Sequence, residues 1–322
     1  MNDNIGIRVV KGGSFMNSSS KRKKMRGYRE FLYILPFLIL VTIFSYYPLY
    51  GWIYSFFDYQ PPLAFSWDTF VGFKWFKMLF QSKSFVKQTI EVLRNTFAMS
   101  GIALAFSWLP MVFAIFLNEI RNMRFRRFVQ TVTTLPNFIS WVLVYSVAFL
   151  LMSNNGMFNS VGIKWGLIER PINFLKSNEH MWFKMWLWLT WKNLGWAAIM
   201  YIAAISSIDT EMFEAARVDG ASRMKIILHI TIPSLLPTFF VLLLLNISNI
   251  LNNGMEQYFV FQNAWNREYI QVLDLYVYNL SKSKPPVYSV STALSMLKSI
   301  VSLVLLVGAN TFSKIVRKQS II

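Results

Sequence analysis

The residues of this chain best suited to chemistry lie between Ser207 and Pro233: Ser-Ile-Asp-Thr-Glu-Met-Phe-Glu-Ala-Ala-Arg-Val-Asp-Gly-Ala-Ser-Arg-Met-Lys-Ile-Ile-Leu-His-Ile-Thr-Ile-Pro. Asp209 or Thr210 can cap a short helix, and Glu211 and Glu214 are favourable near its positive N-terminal end. Ala215 and Ala216 leave a low-profile surface that another protein can approach closely. Gly220 permits a sharp change of direction, after which a second helix runs to Pro233. On physics alone the segment reads equally as a docking hairpin and as an ordinary solvated one.

Polar groups inside otherwise apolar stretches come next. Asn246, Asn249, Asn253 and Glu256 are spaced three, four and three apart, which on a continuous helix places them on one face. Amides are costly against lipid, so such a stripe faces either protein or a water-filled path. Amides and aromatic rings together suit sugars, whose hydroxyls donate and accept around flat apolar faces. Trp188, Trp191, Trp196 and Tyr201 could supply the rings, with interfacial belts or plain packing as the alternative. Lys192, Lys298 and Arg94 are cations in or at the edge of apolar stretches. Either they meet an anionic cargo such as a uronic-acid oligosaccharide, or their stems snorkel to the interface.

Much chemistry is excluded. There is no cysteine, and the two histidines, His180 and His229, are far apart. Thiolate sites and zinc or haem centres are therefore not expected. No G-x-x-x-x-G-K-[ST] loop appears, so ATP is not held in that manner. No nucleophile–base set or carboxylate pair suggests an enzyme.

The elements that must position these residues are membrane helices. Apolar residues make up 55% of the 322 and charged residues only 15%, against roughly 25% charged in a typical soluble domain. That leaves too little polar surface to cover several soluble cores. Six apolar stretches approach the ~20 residues that a spanning helix needs: Leu32–Phe57, Leu93–Leu117, Phe128–Met152, Lys184–Ile205, Ser234–Asn252 and Ala293–Phe312. The first is too long for a signal core and lacks a cleavage site. Residues 1–27 read as a basic, disordered cytoplasmic tail near anionic headgroups, and 28–322 as the membrane domain. The net charge of +17 reflects loop placement rather than nucleic-acid binding. Eighteen Lys and Arg fall on the side of both termini and ten on the other, so the termini are expected in the cytoplasm. None of the six stretches holds Asp or Glu, whereas ion-coupled carriers generally need carboxylates at depth. Uphill transport would therefore draw its energy from another subunit.

Glu214-Ala-Ala-x-x-Asp-Gly-Ala followed by Ile230-x-Ile-Pro233 resembles the EAA motif in membrane subunits of ATP-binding-cassette importers. The resemblance implies that 207–233 is a coupling segment docking on a cytoplasmic ATPase through Phe213, Glu214, Ala215, Ala216, Asp219, Gly220 and Ala221. Leu35-Pro36, Tyr47-Pro-Leu-Tyr-Gly51, Arg94-Asn-Thr96, Leu117-Asn-Glu119, Gln130-Thr131, Leu135-Pro-Asn-Phe-Ile-Ser-Trp141, Met255-Glu-Gln257 and Asp274-Leu-Tyr-Val-Tyr278 look like the LplB-like complex-sugar permeases, a group that includes the alginate importer's subunit. What this implies is an all-α, six-span, type I (MetI-like) fold in a bacterial cell membrane. The implied partners are a second, different permease, two ATPases holding ATP and Mg, an extracellular sugar-binding lipoprotein and an oligosaccharide. The chain itself would bind no cofactor. Asn246, Asn249, Asn253, Glu256, Trp191, Lys192, Tyr201 and Lys298 are the candidate pathway residues. A permease for a polyol or glycerol phosphate, or a non-transport scaffold, are the competing readings.

Overall fold

The computed structural model describes residues 30–317 apart from 62, 64 and 284–286, so the expected tail at 1–27 lies outside the described residues. The regular elements among those residues are all helices, and their one β feature is an isolated bridge between Phe57 and Phe70. The chain divides into two units, Met1–Ile53 and Tyr54–Ile322. In the first, α1 (30–41) passes into a π turn at Thr42–Tyr46 and then a 3-10 stretch beginning at Tyr47. Pro48 explains the change, because it lacks an N–H and its ring crowds the carbonyl four residues back. Phe31, Leu32, Phe37 and Phe44 are all exposed, as on a helix made for lipid or a partner.

In the second unit, α2 (Lys74–Gln81) and α3 (Lys83–Ala105) precede a break at 106–108, and α4 (Leu109–Glu119) resumes with Pro110 in its first turn. The Asn122 side chain caps α5 (Met123–Thr134), accepting from the N–H groups of Arg124 and Phe125 at 3.0 and 3.2 Å. Then follow α6 (Trp141–Met152), α7 (Met157–Lys164), α8 (Met181–Ser206), α9 (Thr210–Val218) and α10 (Arg223–Ile226). A π turn at Ile227–Thr231 leads into α11 (Ile232–Ser248). The short α12 (Glu256–Phe261), α13 (Arg267–Ile270) and α14 (Leu273–Lys282) precede the long α15 (Tyr288–Arg317).

Five helical segments among the described residues are long and apolar enough to cross a membrane: Glu30–Phe56, Lys83–Asn118, Trp141–Lys164, Arg223–Ser248 and Tyr288–Ile315. Two of the expected stretches read differently in the structure. Lys184–Ile205 lies inside α8, whose 26 residues suffice in length, but Lys184, Lys192, Asn193 and five tryptophans dilute its hydropathy. Phe128–Met152 is not one helix. Pro136 turns the chain into a 3-10 turn at Leu135–Phe138, Ile139 is extended, and Ser140 caps the new helix α6.

Three apolar clusters hold the second unit together. One joins α6 to the first half of α8 and to α12, around Val144, Met185, Trp188 and Phe261. Another joins α3, α14 and α15 around Val92, Leu273 and Val290. The third joins α4, the second half of α8 and α11 around Ala114, Ala198 and Leu235. Lipid tails are as apolar as Leu, so packing rather than water exclusion drives such helices together. Hence the small residues Ala114 and Ala198, both fully buried, where α4 and α8 meet.

Candidate functional site

The expected short helix and glycine turn form where the sequence places them, but the second helix does not stop at Pro233. Instead α10, the π turn and α11 run on through that proline, which α11 takes in its first turn, to Ser248. The Asp209 carboxylate caps α9, accepting from the N–H of Glu211 at 2.9 Å. Gly220 adopts φ +73°, and two backbone bonds close the helix behind it. The N–H of Ala221 reaches the Ala216 carbonyl at 2.9 Å, and that of Gly220 reaches Arg217 at 3.1 Å. This is a Schellman end, which needs a left-handed residue at its penultimate position. Ser222 then caps α10. Glu214, Ala215, Asp219 and Gly220 are exposed, while Phe213, Ala216 and Ala221 are half-buried. Val218 is 88% exposed, an apolar side chain left open by the described residues. A groove of about 640 Å³ runs beside α9, lined in part by Glu119, Arg121, Phe213, Glu214, Arg217 and Arg223. The hairpin thus offers an exposed helix bearing a carboxylate, two alanines and an apolar tip, with arginines behind it. Such a surface can dock.

The asparagine stripe breaks. The helix α11 ends at Ser248, Asn249 is its cap, and Gly254 takes φ +76° before α12 begins. Asn246, Asn249, Asn253 and Glu256 therefore do not share one helical face. The sequence supplies the cause: side-chain amides compete with the helix for backbone partners. Asn249 Nδ2 donates to the Leu245 carbonyl (2.9 Å), and Asn252 Nδ2 donates to Asn249 Oδ1 (3.1 Å). Asn246, Asn249 and Glu256 are exposed, and the half-buried Asn253 donates to Ser100 Oγ on α3 at 2.8 Å.

A polar seam follows from that break. Ser100 Oγ donates to the Ile250 carbonyl (2.6 Å), and the Gly254 N–H donates to Asp274 Oδ2 (2.9 Å). Asp274 also pairs with Lys298 of α15. A carboxylate from α14, which lies between spans, thus answers the lysine inside the last one. The lysine neither stands unpaired nor snorkels away from its helix. Tyr258 is buried beside Asn253 and Asp274; burial, with the Asp274 carboxylate adding to it, pushes its phenol well above the ordinary range. It stays neutral. Breaking a buried pair strands one charge, at about 3–5 kcal/mol when fully buried; this one is slightly exposed and should cost less. Asp274→Asn is expected to lower the thermal midpoint of the purified chain, and adding Lys298→Gln to restore part of the loss. A double variant less stable than Asp274→Asn would refute the pairing.

Lys192 answers a different need. Its Nζ donates to the carbonyls of Pro136 (3.3 Å) and Asn137 (2.6 Å) and lies 5.5 Å from the Trp141 ring centroid. These carbonyls lie at the end of the 3-10 turn that follows α5, where Pro136 also accepts from the Ile139 N–H, and a cation suits that negative end. Asn137 Nδ2 donates to Asn193 Oδ1 at 2.8 Å. Two residues on, a Cβ on Gly195 would lie 2.3 Å from the Thr133 carbonyl oxygen. Lys192, Asn193 and Gly195 therefore clasp the turn in the interrupted third stretch. Glu256 lies near enough to attract Lys192 electrostatically. Tyr201 is buried between α4 and α11, away from any open surface. Trp191 is partly exposed and packs edge-on against Trp188, ring centroids 5.7 Å apart. Arg94 lies over Trp182 and Tyr269, at 5.9 and 5.1 Å from the ring centroids.

The sequence reading missed Ser100, Asp274 and Gly195 as parts of this arrangement. Gly195 alone carried a signal, being a lone glycine inside a helical run.

Residues 107–318 match the family of binding-protein-dependent transport system inner membrane components. The chain belongs to that family, the MetI-like membrane subunits of ATP-binding-cassette transporters. It is 35% identical over 312 residues to protein LplB of Bacillus subtilis (strain 168), covering 96% of this chain and 94% of that protein. It is 38% identical over 288 residues to the polygalacturonan/rhamnogalacturonan transport system permease protein YteP of the same organism, covering 88% and 87%. Among solved structures it is similar to a chain of a bacterial alginate ABC transporter in complex with alginate pentasaccharide-bound periplasmic protein. There the TM-score is 0.80 at 31% identity, covering 93% of this chain and 98% of that one.

Proposed function

We propose that this protein is one of two different membrane subunits of an ATP-driven oligosaccharide importer, with acidic, uronate-containing chains as its cargo. The observation that carries the reading is the hairpin at 207–233. An exposed, capped helix closed by a glycine turn suits a cytoplasmic ATPase. Membership of the permease family supports the same assignment. An acidic oligosaccharide draws its support from the relatives, which are named for polygalacturonan, rhamnogalacturonan and alginate. It does not draw on Lys192 and Lys298, whose charges are met within the chain.

In this reading the chain crosses the membrane six times, α8 being the fourth crossing, and both termini lie with the hairpin in the cytoplasm. Cargo passes the exposed Asn246, Asn249 and Glu256. The Asn246 side chain makes no hydrogen bond among the described residues and is exposed to meet a hydroxyl. The partners are a second, related permease, two ATPases that bind ATP and Mg, and an extracellular binding lipoprotein. One hairpin engages one ATPase, whereas two ATPases close on ATP together, so a second permease must supply the other hairpin.

Purified with its ATPase alone, the chain should neither transport nor show cargo-stimulated hydrolysis. Adding the second permease and the loaded binding protein should restore both, in proteoliposomes assayed with a panel of acidic and neutral glycans. Full activity of a homodimer would overturn the two-permease reading, and stimulation by neutral glycans alone would overturn the acidic cargo.

A further inference from the structure

We propose that the end of this chain remote from the hairpin carries a separate sugar subsite, a groove that receives one acidic unit of the oligosaccharide before it enters the membrane path. The inference rests on the importer reading, because only that reading places this end outside. Its position follows from α8. That helix is 26 residues long, about 39 Å at 1.5 Å per residue, and the hairpin follows its C-terminal end while the groove adjoins its N-terminal end.

The groove has a volume of about 330 Å³, at the lower end of the roughly 300–1,000 Å³ of small-molecule sites. Tyr145 and Phe149, one turn apart on α6 with ring centroids separated by 6.5 Å, give it an apolar wall. Asn154, Asn155 and Asn173 line it with amides. The Asn154 and Asn155 side chains make no hydrogen bond among the described residues, and the Asn173 side chain uses only its oxygen there, accepting from the Lys176 N–H at 3.1 Å. The Lys176 ammonium stands 4.4 Å from the Trp265 ring centroid and has no carboxylate partner among the described residues. Aromatic faces, free amides and one unpaired cation are what a uronate unit would require: ring stacking, hydroxyl bonding and a carboxylate contact.

The walls are fixed by buried groups whose own bonding is complete. Asn159, fully buried, donates to the carbonyls of Ser153 (2.8 Å) and Ile172 (2.9 Å) and accepts from the Ile172 N–H (2.8 Å). One amide thus ties the turn bearing Asn154 and Asn155 to the segment bearing Asn173. Gly156 makes that turn possible, because a Cβ there would lie 2.7 Å from the Leu151 carbonyl oxygen. Asn263 Nδ2 holds the Leu175 carbonyl at 3.0 Å, which fixes the segment ending in Lys176. The binding groups are therefore presented on a rigid frame while their own polar atoms stay open. Such preorganisation lowers the entropic cost of binding.

The test uses the reconstituted importer with its partner permease, ATPases and binding protein, and trigalacturonate and its methyl ester as probes. Lys176→Gln is expected to raise the trigalacturonate-loaded binding protein needed for half-maximal ATP hydrolysis about fivefold, as loss of one charge-assisted contact would. The maximal rate and the response to the ester should be unchanged, and Lys176→Arg should recover the affinity. Asn154→Ala with Asn155→Ala should weaken both probes alike. No effect of either variant, or an equal effect of Lys176→Gln on both probes, would overturn the subsite. So would an equal loss in the docking of ligand-free binding protein, which would make the groove a protein contact. A wild-type complex that responds to neither probe would instead remove the acidic-cargo reading, and the subsite with it.

Discussion

Gly220→Val should abolish cargo-stimulated ATP hydrolysis by the assembled importer while leaving the chain inserted in the membrane. The cause lies in the backbone rather than in space, since a Cβ at Gly220 would meet nothing within 4 Å. The obstacle is φ +73°, a left-handed conformation that costs an L-residue about 1–2 kcal/mol and a β-branched one more. A chain that avoids this conformation cannot close the Schellman bonds from Ala221 and Gly220 to Ala216 and Arg217. The end of α9 then frays, and the direction in which Ser222 starts α10 is lost. The surface at Glu214 and Ala215 would remain, but its angle to the membrane helices would not. Gly220→Asn provides the internal control, because asparagine visits the left-handed region at little cost, and it should keep most of the activity. Wild-type stimulation in the Val variant would remove the hairpin from the coupling path. Glu214→Lys should also abolish stimulation, by reversing charge on the docking face, with no change in the fold of α9.

The largest effect on stability is expected at Gly195. The first carbon of any side chain there would sit 2.3 Å from the Thr133 carbonyl oxygen and 2.7 Å from the Thr134 nitrogen. Both are backbone atoms, so no rotamer change relieves the collision. Even Gly195→Ala must push α8 away from the end of α5, and it should cost about 1–3 kcal/mol. Gly195→Val should cost more and largely prevent recovery of monodisperse protein from detergent. The displacement also pulls Lys192 and Asn193 from the turn at 136–137, taking the Lys192 ammonium from the Asn137 carbonyl and leaving the Pro136 carbonyl with only the Ile139 N–H. Lys192→Met removes those bonds without the collision and should be the milder change. Thermal unfolding followed by size-exclusion chromatography would rank the variants. Equal midpoints for Gly195→Ala and wild type would show that the close approach is not needed.

The hairpin was legible because its punctuation is local. An aspartate cap, an acidic residue in the first turn and a glycine end all act within a few residues, and the structure realises each of them, while the Ser222 cap that restarts the chain came only from the structure. The apolar stretches were legible by length, but their continuity was not. Periodicity carried the fifth stretch through Asn249 to Glu256, where cooperating amides and Gly254 end the helix. It carried the third through Pro136, although proline and a following serine cap are the ordinary signals of a break. The partners of Lys298 and Lys192 were out of reach for a different reason. Asp274 lies 24 residues away and Pro136 lies 56 away, and local spacing says nothing about which loop folds back on which helix. Nor could composition reveal that α8, diluted by lysines and tryptophans, is the element that two of the three apolar clusters share and that the hairpin follows.

The backbone approach at Gly195 also has a mechanical meaning. Around it the neighbouring spans are jointed: at 106–108, at the 3-10 turn after α5, at the π turn before α11 and at the cap after it. The helix α8 is unbroken from Met181 to Ser206, and it is gripped part-way along, where no side chain intervenes. A rod held at such a point is a lever with a fulcrum. Its arms are about 21 Å towards Met181 and about 16 Å towards Ser206. A tilt of roughly ten degrees would swing the two ends about 3–4 Å in opposite directions on these lengths. A push delivered beside Ser206 would then be felt at the far end of the same helix as a displacement of opposite sign, with no relay of side chains between them.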